Sequence, residues 1–213
     1  ELLRSQCAIV ALTSAEVADP QVRHLRTIGG SVAHGDPASD MPTVLLALDA
    51  ELVVRGPNGE RTVSAGDMFT GFFTTAVGPE EILTEIRVPK AGGSYLKFNR
   101  RAQDWATVGV AVARTNGAAQ VALTNMGHTP LRARGVEEAL GSGDDPATAA
   151  KRAAEGTSPP SDHNASAEYR AQHGVRDLGQ FVAQRSLGPF IGLPTAQQTK
   201  APSEPGRQVV RHH

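Results

Sequence analysis

Residues 27–31 read Thr-Ile-Gly-Gly-Ser, a glycine pair between two hydroxyl side chains, with Asp36-Pro37 and Ser39-Asp40 close behind. Lacking Cβ atoms, successive glycines let the main chain take positive φ and approach a ligand within van der Waals range. Their consecutive N–H groups can converge on an anion, and Thr27 and Ser31 add hydroxyl donors. A helix starting at Ser39 would add its N-terminal partial charge if it pointed the same way. The same residues also suit an ordinary tight turn. They form neither the three-glycine dinucleotide fingerprint nor a P-loop, because no Gly-Lys-Ser/Thr follows.

A second group is Lys97, Arg100, Arg101 and Asp104 in YLKFNRRAQDWA. On a strand Lys97 and Phe98 face opposite ways, so the lysine can point at a ligand while its neighbour packs. The plainer reading is a solvated, charged strand end. Trp105, the single tryptophan, reads as core rather than as a stacking platform. The seven histidines form no His-Glu-x-x-His pattern and no Cys/His ligand set, which argues against a zinc site. Ser31, Ser39 and His34 stand outside any Gly-x-Ser-x-Gly elbow, which argues against a serine hydrolase. Spacing alone thus leaves an anion-binding loop or an ordinary tight turn, and no catalytic triad.

The elements that must position these residues follow from pattern. Residues 1–18 predict a helix or helix pair, broken at Asp19-Pro20. Ser39 or Asp40 caps the next helix, with Pro42 in its first turn. ELVVRG and RTVSAG flank Asn58-Gly59 as a hairpin. ILTEIRVP and SYLKFNRR predict strands. TVGVAVAR and AQVALTNMG predict a second hairpin about Asn116-Gly117. ARGVEEAL, PATAAKRAAEG and ASAEYRAQ read as short helices. Helices, then antiparallel strands, then helices make the class α+β.

Bulk properties narrow the partners. The chain has 213 residues, a net charge of -1, 39% hydrophobic and 4% aromatic residues. That charge offers no basic footprint for nucleic acid. No apolar run reaches the roughly 20 residues of a membrane span. Cys7 is the lone cysteine, so neither an internal disulfide nor a thiolate cluster is available, and a cytoplasmic protein is expected. The opening ELLRSQCAIV, without methionine, reads as an internal stretch.

Several segments together resemble a known family. DPQVRHLRTIGGSVAHGDPASDMPTVLLALDAELVV is similar to the second flavin-contact segment of the FAD-binding medium subunit of molybdenum hydroxylases, the family of carbon monoxide dehydrogenase and the xanthine dehydrogenases. GDMFTGFFTTAVGPEEILTEIRVP resembles the stretch after it, and SYLKFNRRAQDWATVGVAVA the start of the C-terminal domain. ALTNMGHTPLRARGVEEAL and ASAEYR continue the match, in order, over about residues 1–170. The resemblance implies the second half of a PCMH-type FAD-binding domain at 1–90 and a flavoprotein C-terminal domain, antiparallel sheet plus short helices, at 93–190. A disordered tail at 191–213 completes the expected organisation.

It further implies a subunit that passes electrons from [2Fe–2S] clusters of a small partner, through FAD, to an external acceptor. A large partner would hold molybdopterin, the whole forming a dimer of heterotrimers of the carbon monoxide dehydrogenase type. Thr27, Ile28, Gly29, Gly30 and Ser31 fall on the family's pyrophosphate-loop positions. Asp40 falls on an aspartate that contacts the flavin nucleotide, Leu83 and Lys97 on positions lining the isoalloxazine, and Val17 on an upstream contact.

Departures from the family pattern are specific. Arg26 replaces a glycine before Thr27, where it either crowds the loop or adds a cation beside the phosphates. The family's first FAD subdomain, with its own Gly-Gly-x-Ser loop, has no counterpart in these residues. After ASAEYR a helix rich in Leu and Arg is expected, but QHGVRDLGQFVAQRSLGPF and a Pro/Gln tail appear, as a frameshift or a wrongly assigned gene end would produce. These departures support an alternative: a truncated, flavin-free remnant that serves only as a subunit-docking module.

Overall fold

A computed structural model describes residues 2–115 and 117–174. The first fifty residues carry α1 (Leu2–Gln6), α2 (Ala8–Glu16), α3 (Pro20–Leu25), α4 (Ile28–His34) and α5 (Asp40–Ala47). Asp19-Pro20 does interrupt the chain, but it also starts α3, which the sequence reading lacks. Asp19 accepts the Val22 N–H at 2.9 Å, and Pro20 takes the first helical position, where a missing N–H costs nothing. All eight residues of α5 are buried. A helix enclosed on every side is a core element, and α5 packs against α2 and α4.

β1 (Glu51–Gly56) and β2 (Gly59–Ser64) form the expected hairpin in a register running from Glu51↔Ser64 to Gly56↔Gly59. Pro57 and Asn58 make the turn itself, while Gly59, at φ 109°, opens β2. The short helix α6 (Ala65–Met68) and the strand pair β3 (Phe69–Gly71) and β4 (Thr74–Thr75) follow. β5 (Ile82–Arg87) then joins the hairpin on its other edge, giving the order β2-β1-β5.

The second sheet is β6 (Gly92–Phe98), β7 (Val108–Thr115), β8 (Ala118–Thr124) and β9 (Leu131–Arg132), in sequence order and antiparallel throughout. The turn expected at Asn116-Gly117 lies partly outside the described residues; Gly117 has φ 84°. β7 is central and buried on both faces. Ala111 and Ala113 face the core formed with α2 and α5, whereas Val108, Val110 and Val112 face a second core with Ala139, Ala149 and Ala153. Those alanines belong to, or follow, α7 (Arg134–Gly141) and α8 (Pro146–Ala150). Small side chains on one face let α5 approach closely; branched ones fill the wider gap on the other.

Residues 167–174 are helical, as expected for ASAEYRAQ. The tail expected at 191–213 lies outside the described residues. The antiparallel sheets with flanking helices make the α+β class a property of the structure.

Candidate functional site

The Thr27–Ser31 segment forms the start of α4 rather than a free loop. Thr27, extended at φ -111°, caps the helix by accepting the Gly30 N–H at 3.0 Å. The Ser31 N–H bonds the Thr27 carbonyl at 3.0 Å. Gly29 and Gly30 are helical and neither adopts positive φ, so their value is not the unusual backbone conformation anticipated above. It is access. A Cβ on Gly29 would meet nothing within 4 Å, and one on Gly30 would press the Thr27 hydroxyl at 3.2 Å. Thr27, Ile28 and Gly30 are exposed. The first amides of a helix have no acceptor within it, which leaves those of Ile28 and Gly29 directed outward. Gly35, at φ 68°, ends the helix in the left-handed conformation.

Asp40, at the start of α5, and Lys97, on β6, form an ion pair. Lys97 Nζ lies 2.9 Å from Asp40 Oδ2, with both side chains 4% exposed. It also donates to the Glu16 carbonyl at 3.3 Å, whereas Phe98, on the opposite face of β6, stacks on His173. The alternation expected on this strand therefore holds. Lys97 is buried, unlike a solvated strand end; Arg100 and Arg101 are exposed. Tyr95 Oη donates to Asp40 Oδ1 at 2.7 Å and lies 3.1 Å from Thr124 Oγ1, which bonds Thr43 Oγ1 at 2.8 Å. Burial raises the Asp40 carboxyl above its ordinary value, against the opposing pull of Lys97 and Tyr95. Burial also raises Glu16, helped by the Asp40 charge. Leu83 is half-buried on β5, opposite Val54 and against the first core. α4 packs on α5 and β5, which carry Asp40 and Leu83, whereas Lys97 comes from β6 and reaches Asp40.

Sequence reasoning missed a cavity of about 590 Å³ beyond the C-terminal end of α4. Phe72, Phe73, Trp105, His128, Asp36 and Arg170 are among its lining residues; it shares none with Thr27–Ser31, Leu83 or Lys97. Trp105 is 54% exposed, so its expected place in the core is wrong. It sits on a loop whose C-terminal end is tied down: Asn125 Nδ2 donates to the Ala106 carbonyl at 2.9 Å, and Arg170, fully buried, donates to that of Thr107. Left-handed backbone occurs at two of its lining residues, Phe73 (φ 51°) and Asn125 (φ 61°). Such conformations persist only where surrounding contacts enforce them. No composition signal marks them.

An exposed Thr27 hydroxyl at a helix start and a buried Lys97–Asp40 ion pair are the two polar features that the sequence-predicted residues form. Comparison with known proteins makes this specific. Residues 1–91 match the FAD binding domain of molybdopterin dehydrogenase, and residues 93–184 the CO dehydrogenase flavoprotein C-terminal domain. The carbon monoxide dehydrogenase medium chain of Hydrogenophaga pseudoflava is 40% identical over 63% of this chain and 50% of its own length. That of Afipia carboxidovorans is 39% identical over 81% and 64%. The structure of reconstituted CO dehydrogenase from Oligotropha carboxidovorans superposes with a TM-score of 0.78 at 37% identity, over 84% of this chain and 68% of that one. The chain belongs to the family of FAD-binding medium subunits of molybdenum hydroxylases. It spans between half and two thirds of the curated carbon monoxide dehydrogenase chains it matches.

The residues present fit the phosphate half of FAD. A side chain on Gly29 would fill the open space over the first turn of α4, and two outward amides stand beside the exposed Thr27 hydroxyl. Arg26, which precedes that turn, is exposed.

Proposed function

We propose that this chain is the FAD-holding part of the medium subunit of a carbon monoxide dehydrogenase-type molybdenum hydroxylase. Residues 1–90 supply the second half of the flavin domain and residues 93–190 the C-terminal domain. Thr27, Ile28, Gly29, Gly30 and Ser31 hold the diphosphate, by amide and hydroxyl donors at a helix start. Asp40 contacts the nucleotide, and Leu83 and Lys97 border the isoalloxazine. When bound, FAD would supply the redox chemistry between [2Fe–2S] clusters of a small partner and an external acceptor. The protein's own part is to bind, orient and place charge. Partners are a molybdopterin-binding large subunit and the cluster subunit, in a dimer of heterotrimers in the cytoplasm. Among the described residues no helix is long and apolar enough to cross a membrane.

The carrying observation is the open first turn of α4, where no atom of the described residues lies within 4 Å of a Cβ placed on Gly29. FAD titration of the chain assembled with its partner subunits tests it: flavin absorbance should copurify, and Gly29→Val should lose most of it. An assembled complex without flavin would leave the second reading, a docking module. That reading draws on the mutual engagement of Asp40 and Lys97, which already satisfy each other.

A further inference from the structure

The polar network behind Lys97 is a built feature that the flavin-contact positions do not include. Its centre is Tyr95, which lies on β6 two residues before Lys97 and points to the same face. The Tyr95 hydroxyl takes one oxygen of Asp40, and Lys97 takes the other. Space for that hydroxyl comes from Gly109 on β7, the register partner of Lys97. A Cβ at position 109 would collide with Tyr95 Oη and stand 2.8 Å from Thr124 Oγ1. Gly109 has no positive φ to account for it, so the glycine serves this network.

We propose that Tyr95 is a positioning residue for the Lys97 ammonium. Its hydroxyl fixes one oxygen of the Asp40 carboxylate, so that the other holds Lys97 charged and immobile at the end of β6. The reason is the cost of burial. A carboxylate in this enclosure stays ionised only while its lone pairs are satisfied. Remove the phenol O–H, and Asp40 takes up a proton more readily. A neutral Asp40 no longer anchors the ammonium at 2.9 Å, and Lys97 is released from its place. Two donors of the ammonium go to Asp40 and to the Glu16 carbonyl, leaving one for a ligand. Only the identity of that ligand rests on the flavoprotein reading. There, a fixed cation would favour negative charge developing on a reduced flavin.

The test is amine acylation of the full chain, followed by mass spectrometry, with Lys90 and Lys151 as exposed internal references. In the parent Lys97 should be protected. Tyr95→Phe should speed its acylation about tenfold, the scale of one lost hydrogen bond to a charged group, while Lys90 and Lys151 keep their rates. Asp40→Asn should do the same, and the double variant should add nothing further, because both changes act through one carboxylate. Unchanged Lys97 reactivity in a folded Tyr95→Phe chain, or additive effects in the double variant, would overturn the proposal. If Tyr95→Phe fails to fold, Gly109→Ala, whose Cβ would push the Tyr95 hydroxyl off Asp40, is judged by the same criterion. No flavin enters this measurement, so its failure is separate from failure to bind FAD. Where flavin is bound, Tyr95→Phe should also shift the oxidised-to-reduced equilibrium about tenfold, about 30 mV for two electrons.

Discussion

Arg61 grips Glu81 through two nitrogens, at 2.8 and 2.6 Å, and so clasps β2 to the turn that enters β5. The Gly78 N–H adds a third bond to the same carboxylate at 2.7 Å. The Arg61 hydrogen bonds, then that of Gly78, lower the Glu81 carboxyl from 4.5 to about 2. A carboxylate with a lowered folded value stabilises the fold above its unfolded value and ceases to as pH falls through the folded one. The Glu81 contribution should therefore be complete above pH 4.5 and vanish toward pH 2. Carbon-13 NMR titration of the carboxyl checks this, and Arg61→Ala should return it toward the ordinary range.

The Asp40–Lys97 pair should behave in the opposite sense at acid pH. Burial raises Asp40, so the folded protein takes up a proton more readily than the unfolded chain, and this group favours the fold less as pH rises through its titration. Breaking the pair is a different matter. Lys97→Met strands a buried carboxylate and should cost about 3–5 kcal/mol in urea unfolding. Pairing it with Asp40→Leu should recover much of that loss, because no unpaired charge then remains.

Two glycines of one helix should respond to alanine in contrary ways. At Gly35 the left-handed φ and a Cβ only 3.1 Å from the Thr74 amide predict a loss of about 1–3 kcal/mol. At Gly29 the helical backbone and empty surroundings predict a gain of about 0.5–1 kcal/mol in stability. Flavin affinity should nonetheless fall for Gly29→Ala. Thermal melts and FAD titration of the same variant separate the two effects.

Trp105 is the single tryptophan, so its fluorescence reports the cavity alone. Its half-exposed ring predicts red-shifted emission that acrylamide quenches readily. Arg170 pins the adjoining Thr107 and also pairs with Asp162 at 2.7 Å. Arg170→Met should cost about 1–3 kcal/mol and increase quenching further. A blue, unquenched emission would contradict the placement of the ring.

Local patterns in the sequence carried much of the architecture. Both hairpins, α5 and the short alanine-rich helices were legible from alternation, turn residues and caps. α4 was not, because a seven-residue helix with two glycines opposes helix propensity. Its caps, Thr27 and Gly35, and the buried Val32 hold it instead. β7 hid its alternation, since alanine and valine both read as apolar and both faces are covered. Asp40 and Lys97 were found as separate candidates; their facing one another depends on α5 packing on the sheet to which β6 belongs, which no short-range signal encodes. The cavity was illegible for a related reason: its walls come from segments scattered between Asp36 and Arg170.

The two-faced strand β7 has a consequence for dividing the chain. Its alanine face is roofed by helices from the first fifty residues, and its valine face by helices that follow the sheet. A cut near residue 91 would peel one roof away and leave both pieces sticky. Expressed apart, they should precipitate; expressed together, they should find each other and reassemble across that alanine seam.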